Sequence, residues 1–201
     1  MRPFVVYKLG GSLLDLPDLA VRLRALWQAR ADSDVLLVVG GGRAVEAVRE
    51  WDGVFQLGED AAHWLAIDAL DLSASLLEHL VPELQLVRSL GQLRSAHAAG
   101  RPAVLCVKCF VKWLETQPEP LPRHWDVTSD SIAVAVTRAW QGQELVLLKS
   151  CDLPDGPEVL SLEDLVLAGL LDRYFPTAAA NVRPISWVNF RLHEMIPRAL
   201  G

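Results

Sequence analysis

Two rhythms of apolar residues alternate along the chain. Short unbroken apolar runs ending in glycine or a charge read as strands covered on both faces. Longer stretches with apolar residues three and four apart read as helices packed on them. Pro3 to Leu9 is the first strand and closes on Gly10 and Gly11, after which Leu16, Leu19, Leu23, Leu26 and Trp27 recur at helical spacing. Asp34 to Val39 is a second strand, ending in Gly40, Gly41 and Gly42, with a helix from Arg43 to Trp51 and a longer amphipathic helix from Asp60 to Leu80 behind it. Leu84 to Val87 and Ala103 to Val107 predict two more strands with a short helix between them. Thr116 to Pro122 holds three prolines and reads as a loop. Asp126 to Trp140 is helical and Glu144 to Leu148 is another buried strand. Ser161 and Asp164 form a capping-box pattern ahead of Leu165 to Leu170, and Val182 to Val188 reads as a late strand.

Strands that alternate with helices imply an α/β protein, a three-layer αβα sandwich with a mostly parallel central sheet. Ligands of such sheets bind outside the carboxyl ends of the strands. Four loops share that end: Lys8 to Ser12, Gly40 to Arg43, the helix start near Asp130, and Lys149 to Asp152.

Composition narrows the classes. The 201 residues are 51% hydrophobic and carry a net charge of −6. A chain of this size builds one core without disulfides or metals. The acidic balance offers no footprint for nucleic acid or for an anionic membrane surface. No apolar run approaches the roughly 18 residues that span a bilayer. The first fifteen residues contain Lys8 and a glycine pair where a signal peptide would be apolar, so the expectation is a soluble cytoplasmic protein. Three cysteines argue against a secreted disulfide framework. Cys106 and Cys109 are read at the end of a strand, where an offset of three points side chains to opposite faces, so buried thiols are expected rather than a metal or redox pair.

The first loop suggests phosphate chemistry. Lys8 is the only charge within its strand, and Gly10, Gly11 and Ser12 follow at once. Glycines let backbone N–H groups approach a phosphate, and the lysine supplies a positive charge. The order differs from the P-loop and from G-x-G-x-x-G. In the second loop Gly40, Gly41 and Gly42 open a helix whose first side chain is Arg43, so free N–H groups, the helix dipole and a guanidinium all favour an anion. The third loop, Asp126, Thr128, Ser129 and Asp130, contains a helix cap and an acid one step inside it. Lys149 ends a buried strand in an acidic protein. His63, Trp64, Asp68 and Asp71 lie within two turns of one helix and could bind a cationic aromatic group through a carboxylate and a ring.

The K-x-G-G-S after the first strand, the G-G-G after the second, the T-S-D at a helix start and the strand into Lys149 to Asp152 occur in the order of the amino acid kinase family, which the chain resembles from Val5 to Asp155. Within it, the run Gly40 to Arg49, the His63 and Trp64 pair and the run Trp125 to Ala133 look most like the branch of aminomethylfuran phosphate kinase, which acts in methanofuran-type cofactor biosynthesis. The resemblance implies an ATP-dependent phosphotransferase for a small anionic substrate, a phosphomonoester. The alternatives are a kinase for a carboxylate or amino acid derivative and a nucleotide-binding regulator without turnover. It implies catalytic roles for Lys8, Asp130 and Lys149, with ATP held by Gly10, Gly11, Ser12, Ser150 and Asp152. The acceptor would be held by Gly40, Gly41, Gly42, Arg43, His63, Asp68 and Ser129. Mg²⁺ would ride on the ATP oxygens without a protein ligand, and the assembly would be a homodimer or larger homo-oligomer. Residues 1–125 would form the acceptor half of a single domain and 126–201 a shortened nucleotide half. The chain departs from the family in one respect: many members carry a second lysine late in the sequence, whereas here the lysines are Lys8, Lys108, Lys112 and Lys149. Lys149 or Arg173 would have to serve, or activity is lost.

Overall fold

The structure is a computed structural model that describes residues 2–30, 32–154 and 161–200. Residue 155, where the resemblance ends, lies outside them. A seven-stranded sheet runs through the molecule in the order β3-β4-β2-β1-β5-β6-β7, parallel except for the last pair. Its strands are β1 (Phe4–Leu9), β2 (Asp34–Val39), β3 (Gln85–Val87), β4 (Ala103–Leu105), β5 (Glu144–Lys149), β6 (Ile185–Asn189) and β7 (Arg198–Leu200). The helices are α1 (Leu19–Gln28), α2 (Gly42–Phe55), α3 (Glu59–Leu80), α4 (Leu90–Ala98), α5 (Val107–Leu114), α6 (Ser129–Trp140), α7 (Leu162–Leu167) and α8 (Phe175–Ala179), with a 3-10 turn over Gly11–Asp15. Among the described residues no helix is long and apolar enough to cross a membrane.

The unbroken apolar runs form strands because both faces of the sheet are covered. Along β1 the even residues Phe4 and Val6 enter one core with Ile67 of α3, Phe110 of α5 and Ile132 of α6. The odd residues Val5, Tyr7 and Leu9 enter a second core with Leu19 and Leu23 of α1. The same alternation divides β5, where Leu145 and Leu147 belong to the first core and Val146 and Leu148 to the second. Lys8 and Lys149 therefore sit at positions of the first core's parity, at the end of their strands and on the face that carries α6. The sheet reverses its strand order at β1, which pairs with β2 on one side and β5 on the other. Such a switch point opens a crevice at the carboxyl ends of the strands.

One expectation is corrected, and one strand is unexpected. The strand expected over Ala103 to Val107 stops at Leu105, and the C-x-x-C opens a helix instead, with Cys106 as N-cap of α5 and Cys109 in its first turn. Asp71 of α3 drives this change by accepting hydrogen bonds from the N–H groups of Val107 (2.6 Å) and Lys108 and from the Cys106 thiol (3.2 Å). A carboxylate on those donors stabilises a helix start. Burial pushes the Cys106 thiol up to about 12, which leaves it unreactive. Only Cys106 is buried; Cys109 is half-buried and Cys151 exposed. The unexpected strand is β7, which carries too short an apolar run to announce itself and forms by pairing antiparallel to β6.

Candidate active site

Asp130 lies at the second residue of α6, capped by Thr128, whose hydroxyl accepts from the Asp130 N–H. From there its carboxylate meets both strand-end lysines. Lys8 Nζ lies 2.9 Å from Oδ1, and Lys149 Nζ donates to Oδ2 at 2.8 Å. Lys149 also donates to the Leu170 carbonyl at 2.8 Å and stands over the Trp187 ring. All three charged groups are largely withdrawn from water, with side chains 6%, 7% and 12% exposed for Lys8, Asp130 and Lys149. Burial lowers the pKa of Lys8 and the charge of Lys149 lowers it further, against the opposing pull of Asp130. Burial alone would raise the pKa of Asp130, but the two ammonium groups overcome it and hold the carboxyl at about 2. Two cations thus share one carboxylate in a nearly dry site.

The two glycine loops press against each other beside this cluster. A side chain on Gly11 would place its Cβ 2.2 Å from the Gly42 nitrogen, and one on Gly40 would lie 2.7 Å from the Gly11 nitrogen. Gly42 has φ +52° in the left-handed region, which glycine adopts without strain. Close packing of backbone on backbone is one reason for the glycines. Unspent donors are its consequence: among the described residues no backbone acceptor meets the N–H groups of Gly11, Ser12, Gly41, Gly42 or Arg43. Helix α2 has no side-chain cap and no acid in its first turn, and carries an exposed Arg43 there instead. A guanidinium beside the positive end of a helix dipole is unfavourable without an anion between them.

The loops and α6 close one end of a cavity of about 860 Å³ between α2, α3, α5 and α6. Gly40, Gly41, Gly42, Arg43, His63 and Ser129 line it, together with Gly11 and Ser12. On the other side of the first loop, the Ser12 hydroxyl donates to Ser150 at 3.0 Å, which brings the first and fourth loops together. The first loop is also strapped by Arg191, which donates to the Ser12 carbonyl and to Asp15. Gly10 donates to the Leu148 carbonyl at 2.9 Å, and Asp152 is exposed.

Asp68 is not in this group. His63, Ala66, Ile67 and Leu70 of the same helix line the cavity and Asp68 does not. Asp68 instead pairs with Lys108 at 2.5 Å on the outer face. Asp71 caps α5, and Trp64 stacks beneath Arg123 and Lys112 of the chain itself, so the expected cation site on α3 dissolves into structural contacts. Burial, then Arg123, lowers the pKa of His63, which stands in the cavity wall as a neutral imidazole. Arg173 is 80% exposed and pairs with Asp126, away from the lysines.

Sequence reasoning missed Asp172. Its carboxylate accepts from the Thr128 N–H and hydroxyl and from the Ser131 N–H and hydroxyl, at 2.5–3.0 Å, and so holds the turn from which Asp130 projects. Two residues earlier, Leu170 holds Lys149. A segment of the C-terminal fifty residues thus fixes two members of the cluster. No local signal marks Asp172, because its partners lie about forty residues away.

The sequence matches no family model and no curated protein. Solved structures do match. Uridylate kinase from Archaeoglobus fulgidus superposes with a TM-score of 0.61 at 18% identity, over 98% of this chain and 91% of that one. UMP kinase from Ureaplasma parvum gives 0.69 at 13% identity, over 99% and 93%. Aspartate kinase from Synechocystis gives 0.65 at 16% identity, over 98% of this chain and 40% of that one. Taken with the four strand-end loops and their order, these likenesses show that the chain has the amino acid kinase fold.

Proposed function

We propose that the protein is an ATP-dependent kinase that transfers the γ-phosphoryl group to a small phosphomonoester. The observation that carries this reading is the buried Lys8–Asp130–Lys149 cluster beside two loops of unspent backbone donors and Arg43. In this reading residues 126–201 hold the nucleotide, with Gly10, Gly11, Ser12, Ser150 and Asp152 around its phosphates. Residues 1–125 hold the acceptor, its phosphate on the N–H groups of Gly41, Gly42 and Arg43 and on the Arg43 guanidinium. Mg²⁺, carried by the nucleotide and not by protein side chains, would supply charge neutralisation.

The acceptor phosphate is its own nucleophile. One of its oxygens bonds to the γ-phosphorus, the bond from that phosphorus to the bridging oxygen breaks, and ADP leaves with the electron pair. No proton moves when the acceptor is a dianion, so the side chains need only position and neutralise. Lys8 sits where it meets the transferring group, and Lys149 stands in for the late lysine that the chain lacks. Asp130 keeps both ammonium groups charged and in place before ATP arrives, which is the preorganisation this chemistry requires. Asp68 lies outside the cavity and selects no amine there, and the proposal names phosphomonoesters as a class.

Phosphorus NMR of the purified protein with MgATP and a set of phosphomonoesters tests this. The expected product is a diphosphate, with the dephosphorylated alcohols left untouched. Formation of an acyl phosphate from a carboxylate would replace the reading with the carboxylate kinase. Absence of transfer to either class would favour a regulatory protein.

A further inference from the structure

The cavity beyond the phosphate cradle carries information about the rest of the acceptor. Its deep wall is Ile67 and Leu70 of α3, Val111 of α5 and Ile132 of α6, each at most 5% exposed. Three of the polar side chains that also line it are spent on the protein, whereas His63 Nε2 and His124 Nδ1 are buried without a hydrogen-bond partner among the described residues. Ser73 donates its hydroxyl to the Ala69 carbonyl at 3.2 Å. Thr128 donates to Asp172 at 2.8 Å. Trp125 turns its indole N–H to Asp52 of α2 at 2.9 Å, and its ring is covered by Arg49 at 4.9 Å. The charged liners Asp15, Glu46, Arg49 and Glu59 are exposed. Polar capacity is therefore greatest at the end that holds the glycine loops, Arg43 and Ser129, and the rest of the wall is mainly hydrocarbon, with the ring nitrogens of His63 and His124 as its available polar atoms.

A ribose or a pyrimidine brought into such a space would lose its hydrogen bonds to water and recover few of them, at a cost for each unpaired group. A hydrocarbon or aromatic body loses nothing there and gains from leaving water. We infer that the acceptor is an amphiphilic phosphomonoester: a phosphate head on the Gly41–Arg43 cradle and an apolar, non-nucleoside body against Ile67, Leu70, Val111 and Ile132. This inference rests on the kinase reading for the reaction, though not for the binding. The cavity continues outward past Leu72 and Leu76, 63% and 43% exposed, so a body longer than one ring still fits.

The experiment is calorimetry on the wild-type protein without ATP, with inorganic phosphate, ribose 5-phosphate, UMP, benzyl phosphate and hexyl phosphate as titrants, followed by turnover of each ester with MgATP. Benzyl and hexyl phosphate are expected to bind at least about tenfold more tightly than ribose 5-phosphate or inorganic phosphate, as burial of several apolar carbons requires. Equal or tighter binding of ribose 5-phosphate or UMP would overturn the inference, whether or not they are phosphorylated. Tight binding of the apolar esters without turnover would uphold the apolar site and refute the kinase reading instead.

Discussion

Asp130 and Asp68 each hold a lysine, and the two pairs differ in what surrounds them. Asp68 lies on the outer face of α3 with 49% of its side chain exposed, against a Lys108 that is 35% exposed. Water solvates both partners there with or without the pair, so the contact contributes little. Asp130 is 7% exposed between two lysines that are nearly as dry. Removing three charges from water is costly, and replacing them with apolar residues would often stabilise a protein. A buried cluster with two cations on one carboxylate is better explained by an anion that joins it than by stability. The comparison separates charges that solubilise a helix from charges that the proposed reaction would use, and four measurements can break or sharpen it.

The largest effect belongs to Lys8. Lys8→Ala should lower kcat by roughly 10²–10³ with an unchanged circular dichroism spectrum, because it removes charge compensation needed most in the transition state. An unchanged kcat would assign the buried cluster to structure alone.

The pH profile sharpens the same point. With Lys8 lowered by burial in the free protein, the alkaline limb of kcat/KM should fall below the ordinary lysine value of 10.5, and Lys8→Arg should move it upward. Asp130 titrates at about 2, so it adds no acid limb in the working range; an acid limb near about 6 would belong to the second ionisation of the acceptor phosphate. The same carboxyl gives a sign for stability. Its folded pKa is depressed, so the stabilisation is present above the unfolded carboxylate range and is lost as pH falls toward about 2.

Next in size is Arg43. Arg43→Ala should raise the KM for the acceptor about tenfold, the usual worth of a charged hydrogen bond, and leave the KM for ATP within about twofold. A change in the ATP KM alone would move the guanidinium to the nucleotide side.

Asp68 sets the lower bound. Asp68→Asn should change kcat and KM by less than about twofold, since its lysine stays solvated when the partner is lost. A loss comparable to that of Arg43→Ala would return Asp68 to the acceptor site.

The cluster was legible because strand alternation and strand ends are local. Lys8 breaks an apolar run just before two glycines and Lys149 ends another, which puts both at strand ends; that they share a face comes from the register, in which Lys8 pairs with Leu147. The order of the four loops then specified the fold. What stayed hidden depends on distance. Asp172 acts on residues some forty positions away, and nothing beside it in the chain reveals that. Asp68 sits close to His63 in sequence, but its carboxylate is taken by Lys108 of α5, forty residues away, which nothing beside it reveals. The C-x-x-C ended an apolar run and so resembled a strand, while the carboxylate that makes it a helix start comes from α3.

A crystal structure with a non-hydrolysable ATP analogue and Mg²⁺ is the most direct test of the central claim. The account predicts Lys8 Nζ within about 3.2 Å of a γ-phosphate oxygen, with Asp130 still between Lys8 and Lys149. A γ-phosphate bound more than about 10 Å from Lys8, one Debye length away, would contradict it.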